Sequence, residues 1–264
     1  MTNWTSGVCA ANGIDIHYLR TGGRKPPLIA LHGLTGSGAC WSPLARALED
    51  DWDVVMPDAR GHGRSGAPLR GYSYADHAAD VAGLIAALDL AAPVLLGHSM
   101  GGMTAAVAAS RLGPVVRGLI LADPTFISPQ WQREVHESDV VAQHRKLLAT
   151  DPDAVLADLR LRHPHRSPEI VALLADARLR TRVAAFDVLI PPNPDYRALV
   201  GAIPAPILLV IGDNGVVSPE TVLELRTLNP RLQHEVIADA GHGLPHDRPD
   251  RLAEAVRSFL QKST

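Results

Sequence analysis

The stretch PVLLGHSMGGMT, residues 93–104, runs apolar into a Gly97-His98-Ser99-Met100-Gly101 turn and leaves it as small, helix-tolerant residues. A buried strand ending on one hydroxyl between glycines is poor core material. It is a good way to expose a nucleophile. The G-x-S-x-G spacing suits a strand-to-helix turn so sharp that larger neighbours would collide with strand and helix. Ser99 would then stand at a helix N-terminus, where free N–H groups and the helix dipole stabilise a developing anion. The Met100 N–H becomes one oxyanion donor. The competing reading is a glycine turn with a helix-capping serine. The strand before and the helix after favour the nucleophile.

Outward from this turn, apolar runs of strand length alternate with helical patterns. VCAA and IDIHYLR are joined by Asn12-Gly13, a hairpin-turn dipeptide. PLIALH (27–32), WDVVMPD (52–58), RGLILAD (117–123), APILLVIGD (205–213) and HEVIAD (234–239) read as further strands. Residues 74–90, 99–112 and 249–261 carry helical periodicity. This alternation predicts an α/β fold. Its sheet is mostly parallel and flanked by helices, with sites at the carboxyl ends of the strands. Residues 126–199 break the rhythm and read as three or four helices. The expectation is a core of residues 1–125 and 200–264, with 126–199 inserted as a helical cap.

Two further segments belong with Ser99. LHGLTGSG (31–38) follows a core strand and would bring the Leu34 N–H over Ser99 as the second oxyanion donor. His242, in DAGHGLPHDRP, follows the last strand and precedes the last helix, so it lies at the same sheet end as Ser99. A neutral imidazole there can take the serine proton and return it to a leaving group. His246 is a rival nearer the final helix. PDARGHGRSGAP (57–68) has no P-loop lysine and no dinucleotide spacing, so it reads as loop architecture. The remaining histidines read as surface or loop residues. Pro164 separates His163 from His165 and no other ligand clusters beside them, which argues against a metal.

Composition excludes other classes. The 264 residues are 46% hydrophobic and 20% charged, enough for a large core and against disorder. A net charge of -3, with no basic run interleaved with aromatics, argues against nucleic acid. No apolar run approaches the roughly 20 residues that span a bilayer, and the first residues lack a signal-peptide pattern. Cys9 and Cys40 fit reduced thiols, and the expected location is cytoplasmic. Oligomeric state has no signature in the sequence.

HGLTGSG, PDARGHGRS, GHSMGG and AGHGLPHDRPDRLAEAVRSFL fall in one order. By these motifs the chain resembles the α/β-hydrolase fold superfamily, specifically its cofactor-free, capped members: carboxylesterases, lactonases and carbon–carbon bond hydrolases. The likeness covers everything except the cap. It implies Ser99 as nucleophile, His242 as base, Leu34 and Met100 as oxyanion amides, and no cofactor or metal. The family usually carries its acid in a G-x-x-D-x-x-x-P loop after the penultimate strand. Here that loop is Gly212-Asp213-Asn214-Gly215-Val216-Val217-Ser218-Pro219, with glycine at the acid position. Asp123, ending the strand after the Ser99 strand, is the first substitute and Asp213 the second.

The implied activity is serine-dependent cleavage of an ester, lactone or related acyl bond in a small molecule. Carbon–carbon, amide or thioester cleavage on the same triad is the alternative. A non-catalytic small-molecule-binding module is a third reading, raised by Gly215. Dehalogenation or epoxide opening needs a carboxylate nucleophile and is disfavoured by Ser99. Trp131, Phe186, Leu189 and Ile190 are the expected pocket walls in the cap. Arg160, Arg162 and Arg166 suit a solvated helix face better than an anionic substrate.

Overall fold

The structure, a computed structural model, describes residues 4–262. Its strands are β1 (Thr5–Ala11), β2 (Ile14–Arg20), β3 (Pro27–Leu31), β4 (Asp53–Pro57), β5 (Val94–His98), β6 (Gly118–Ala122), β7 (Ile207–Asn214) and β8 (Leu232–Gly241). They form one sheet in the order β1-β2-β4-β3-β5-β6-β7-β8. β1 and β2 are a hairpin turned at Asn12 and Gly13, both at positive φ. β2 meets β4 antiparallel, and every later pairing is parallel. Several strands extend beyond the segments read from sequence: β1 begins three residues earlier than VCAA, and β8 spans 232–241.

The sheet is covered on both faces, which explains the nearly continuous apolar runs of β5 and β6. Successive side chains point to opposite sides. Ile29, Leu31, Leu95, Leu119, Leu121 and Leu209 face α2 (Tyr74–Ala87) and α3 (Met100–Leu112). Leu28, Leu96, Ile120, Leu208 and Val210 face α1 (Ser42–Leu48) and α11 (Pro249–Lys262). α3 is made of small residues and is buried from Met100 to Ala109, so it lies close against the sheet. Its first helical residue is Met100, leaving Ser99 in the turn. α2 starts with a capping box in which Ser73 and Asp76 satisfy each other's backbone N–H.

Between β6 and β7 the described residues hold five α-helices: α4 (Pro129–Glu137), α5 (Val140–Leu148), α6 (Pro152–Arg162), α7 (Pro168–Arg180) and α8 (Tyr196–Ala202). A 3-10 stretch, Val183–Leu189, precedes the last. The count exceeds the three or four helices expected, because residues 131–150, which read as one helix, break at Ser138-Asp139 and because Tyr196–Ala202 forms a further helix. α8 packs on the core cluster through Tyr196 and Val200. The remaining elements are α9 (Pro219–Leu228) and the short α10 (Leu244–Asp247). No helix among the described residues is long and apolar enough to cross a membrane.

Candidate active site

Ser99 sits between β5 and α3 with φ 54° and ψ -120°. A non-glycine residue held there costs on the order of 1–3 kcal/mol, so the surroundings must enforce it. They do so by close packing. A Cβ on Gly97 would overlap the Gly101 carbonyl, and one on Gly101 would overlap the Leu31 carbonyl. The Ser99 carbonyl accepts from the N–H groups of Gly102 (2.9 Å) and Met103 (3.1 Å), and the Ser99 N–H donates to Ala122 (3.3 Å).

His242 lies just beyond β8. Its Nε2 is 2.9 Å from Ser99 Oγ, and its Nδ1 is 2.6 Å from Asp123 Oδ2. A carboxylate only accepts, so Nδ1–H donates to Asp123 and leaves Nε2 free to accept the serine O–H. Asp123 directly follows β6 and is fully buried. Its carboxylate also accepts the Val216 N–H (2.9 and 3.0 Å) and the Val217 N–H (3.0 Å). A buried charge needs such donors.

Gly215 has a steric explanation. A Cβ there would lie 2.7 Å from Asp123 Oδ1. The space is filled by a carboxylate arriving from the neighbouring strand. Asp213, the second choice for the acid, is turned elsewhere: its oxygens accept the N–H groups of Asp239 and Ala240, both at 3.0 Å. Those two donors hold its carboxyl below the usual range. His246, the rival base, makes no bond to Ser99. Burial, then the Arg166 charge, pushes it down to about 3.

Leu34 and Met100 both border Ser99. Leu34 lines cavities on both sides of it, and a Cβ on Gly33 would lie 3.1 Å from the Ser99 Cβ. Met100 opens α3, where backbone N–H groups have no helical partner.

His32 and His62 lie in loops, as the surface-or-loop expectation allows, but burial overturns its surface part. His32, His62, His77 and His98 are all buried. Burial pushes each of them below its usual value, so they are neutral. Neutrality lets each ring both donate and accept. His32 Nδ1–H donates to the Gly33 carbonyl (2.8 Å) while Nε2 accepts the Ala59 N–H (2.9 Å). His62 Nδ1–H donates to the Arg60 carbonyl (2.9 Å) while Nε2 accepts the Thr35 N–H (3.3 Å). These two rings brace the 32–36 loop against the 57–68 loop. His98 Nε2–H donates to the His242 carbonyl (2.7 Å) and ties the base's loop to the serine turn. The signal missed in the sequence was position: His32 and His98 sit at strand ends, His77 lies inside α2 and His62 in the loop braced against residues 32–36, all where packing is dense.

Two cavities meet at Ser99 and His242. One, of about 210 Å³, is walled by apolar groups including Tyr74, Ile127, Trp131, Val188 and Leu189. The other, of about 180 Å³, is walled by Cys40, Trp41, His163, Arg166, Arg178 and His246 among others. Trp131 and Leu189 therefore line the first cavity. Phe186 does not: it turns inward, its ring 4.7 Å from that of His144. Ile190 lies past the last 3-10 turn, beside Pro191, and is 55% exposed. Arg160 and Arg162 face solvent, Arg162 paired with Asp158. Arg166 departs from that expectation and enters the second cavity.

A sequence profile of the alpha/beta hydrolase fold matches residues 26–249. The chain belongs to the α/β-hydrolase family. It is similar to an N-formylmaleamate deformylase from Pseudomonas putida, 34% identical, with 96% of each chain covered. It is also similar to a 2-(acetamidomethylene)succinate hydrolase from Mesorhizobium japonicum, 28% identical, covering 92% of this chain and 90% of that one. Among solved structures it resembles the N-formylmaleamic acid deformylase of Pseudomonas putida S16 (TM-score 0.80, 26% identity, 96% of this chain and 100% of that chain). This α/β-hydrolase is an enzyme, and its relatives are hydrolases.

Proposed function

We propose that this chain is a serine hydrolase that cleaves an ester, lactone or related acyl bond of a small molecule through an acyl-enzyme on Ser99. The observation that carries the reading is the unbroken chain of contacts from Ser99 Oγ to His242 to Asp123 (2.9 and 2.6 Å). His242 takes the Ser99 proton as Oγ attacks the carbonyl. The N–H groups of Leu34 and Met100 receive the tetrahedral oxyanion. Asp123 fixes the imidazole tautomer and stabilises the imidazolium. His242 returns the proton to the leaving group, then activates water to release the acyl group. Helices of the 126–199 insert act as the cap: Trp131, Leu189, Arg166 and Arg178 all wall the two cavities over Ser99.

The two curated relatives favour a particular version. Their names specify removal of a formyl group from N-formylmaleamate and hydrolysis of an acetamido compound. Both describe N-acyl substrates, so amide cleavage is the second reading beside ester cleavage.

The test is labelling with a fluorophosphonate probe, followed by turnover of 4-nitrophenyl acetate. Wild-type protein is expected to label stoichiometrically, and Ser99→Ala not at all. Folded wild-type protein that neither labels nor turns over the ester would remove the reading and leave the binding-module alternative.

A further inference from the structure

The second cavity beside Ser99 is rich in hydrogen-bond donors and carries an unmatched positive charge. Two arginines enter it. Arg166, just before α7, has a side chain only 8% exposed, and its Nε donates to Asp247 Oδ1 at 2.7 Å. A Cβ on Gly243 would overlap its guanidinium, so the glycine after His242 gives Arg166 its place. Asp247 matches that charge. The side chain of Arg178, from the last turn of α7, lines this cavity and makes no hydrogen bond or ion pair among the described residues. Burial, with the nearby Arg166 charge, pushes its guanidinium below the usual range. That is the signature of a cation awaiting a counter-charge. His246 and His163 both lie below their usual values, so they add no charge there.

We infer that this cavity is a carboxylate-binding subsite, with Arg178 as its donor and Arg166 at its inner wall, so that the substrate carries a carboxylate on one side of the scissile bond. The inference rests on the hydrolase reading above and narrows its substrate class. Charge decides between anions. One unmatched guanidinium balances a carboxylate monoanion, whereas a phosphate dianion would leave a buried negative charge over. A guanidinium also offers the paired N–H geometry that a planar carboxylate accepts. The opposite cavity, with Tyr74, Ile127, Trp131, Val188 and Leu189, takes the apolar part of the substrate.

Two matched pairs of esters test this, one for each side of the scissile bond. 4-Acetoxybenzoate is compared with 4-acetoxybenzamide, and 4-nitrophenyl hydrogen adipate with its adipamide analogue. One charge-assisted hydrogen bond corresponds to about a tenfold to hundredfold preference, so kcat/KM for the carboxylate member of at least one pair is expected to lead by that factor. Arg178→Gln is expected to bring the ratio to about threefold or less. Arg178→Lys should keep part of it. Calorimetric binding of the same four compounds to Ser99→Ala gives a readout that needs no turnover. It separates failure of the subsite from failure of the triad. Equal handling of both members of both pairs, in turnover and in binding, would overturn the inference. So would an Arg178→Gln variant that weakens charged and neutral members alike.

Discussion

Asp123 and Gly215 exchange roles that the family pattern assigns the other way round. The carboxylate comes from the end of β6, and the glycine leaves room for it. Asp123→Asn keeps the shape but offers an amide that can donate to Nδ1, which favours the wrong imidazole tautomer. Turnover of 4-nitrophenyl acetate is expected to fall about 10³- to 10⁴-fold. Asp213→Asn should change it little, since Asp213 holds only the β8 backbone. Comparable losses in both variants would sink the assignment. Gly215→Ala is subtler. Its new methyl group would press on Asp123 Oδ1 and tilt the carboxylate away from His242, so kcat is expected to drop on the order of 10²-fold while the fold survives. A crystal structure of that variant would reveal whether the 2.6 Å bond has lengthened. The sequence named both candidate acids and ranked Asp123 first, without the geometry to establish it. The choice turns on which strand end faces His242, a matter of three-dimensional register.

The loops at the carboxyl ends of β3 and β4 are bound together more tightly than their glycine content suggests. Asp58 accepts the Gly38 N–H (2.8 Å), the Arg64 N–H (2.9 Å) and a contact from His17 Nδ1 (2.8 Å). Arg60 forms a two-pronged ion pair with Asp80 on α2, with Nε–Oδ2 at 2.6 Å; both side chains are under 10% exposed. Removing one partner of such a pair strands the other charge. Asp80→Ala is therefore expected to lower stability by about 3–5 kcal/mol in urea titration. A loss below 1 kcal/mol would mean the pair is as dispensable as a surface one. The PDARGHGRSGAP segment was rightly legible as loop architecture, because a phosphate site needs residues it lacks. Its bracing role was not legible, since Asp80 and His32 are remote in sequence. The same limit explains the cap. Strand and turn positions follow from short-range pattern, so Ser99, His242, Leu34 and Met100 could be placed. Phe186 and Arg166 could not be, because helical periodicity gives a face but not the neighbour it meets.

Across the whole fold, the buried histidines make the protein sensitive to acid. His77 is 3% exposed, and burial, then the Arg60 charge, pushes it down to about 3. In the folded protein it stays neutral, while in the unfolded chain it takes up a proton near its ordinary value of 6.5. Protons therefore favour the unfolded chain. Stability is flat above about pH 6.5 and falls as pH drops from there toward 3. At pH 5 the loss from His77 alone is about 2 kcal/mol. His32, His62 and His98 shift in the same direction and add to it. Urea unfolding at pH 7 and pH 5 is expected to give a markedly lower free energy at pH 5. In His77→Gln the difference between the two pH values should shrink by about 2 kcal/mol. An unchanged pH dependence in that variant would show that His77 is protonated in the folded state. The same neutrality serves the site: His62 accepts the Thr35 N–H and His32 accepts the Ala59 N–H, and both bonds, which hold the 32–36 loop to the 57–68 loop, need uncharged rings. Acid should thus loosen these loops and lower turnover at a pH where global unfolding has not begun. Following turnover and far-ultraviolet circular dichroism together down the pH scale would separate the two events. Coincident midpoints would instead assign the whole acid loss to global unfolding.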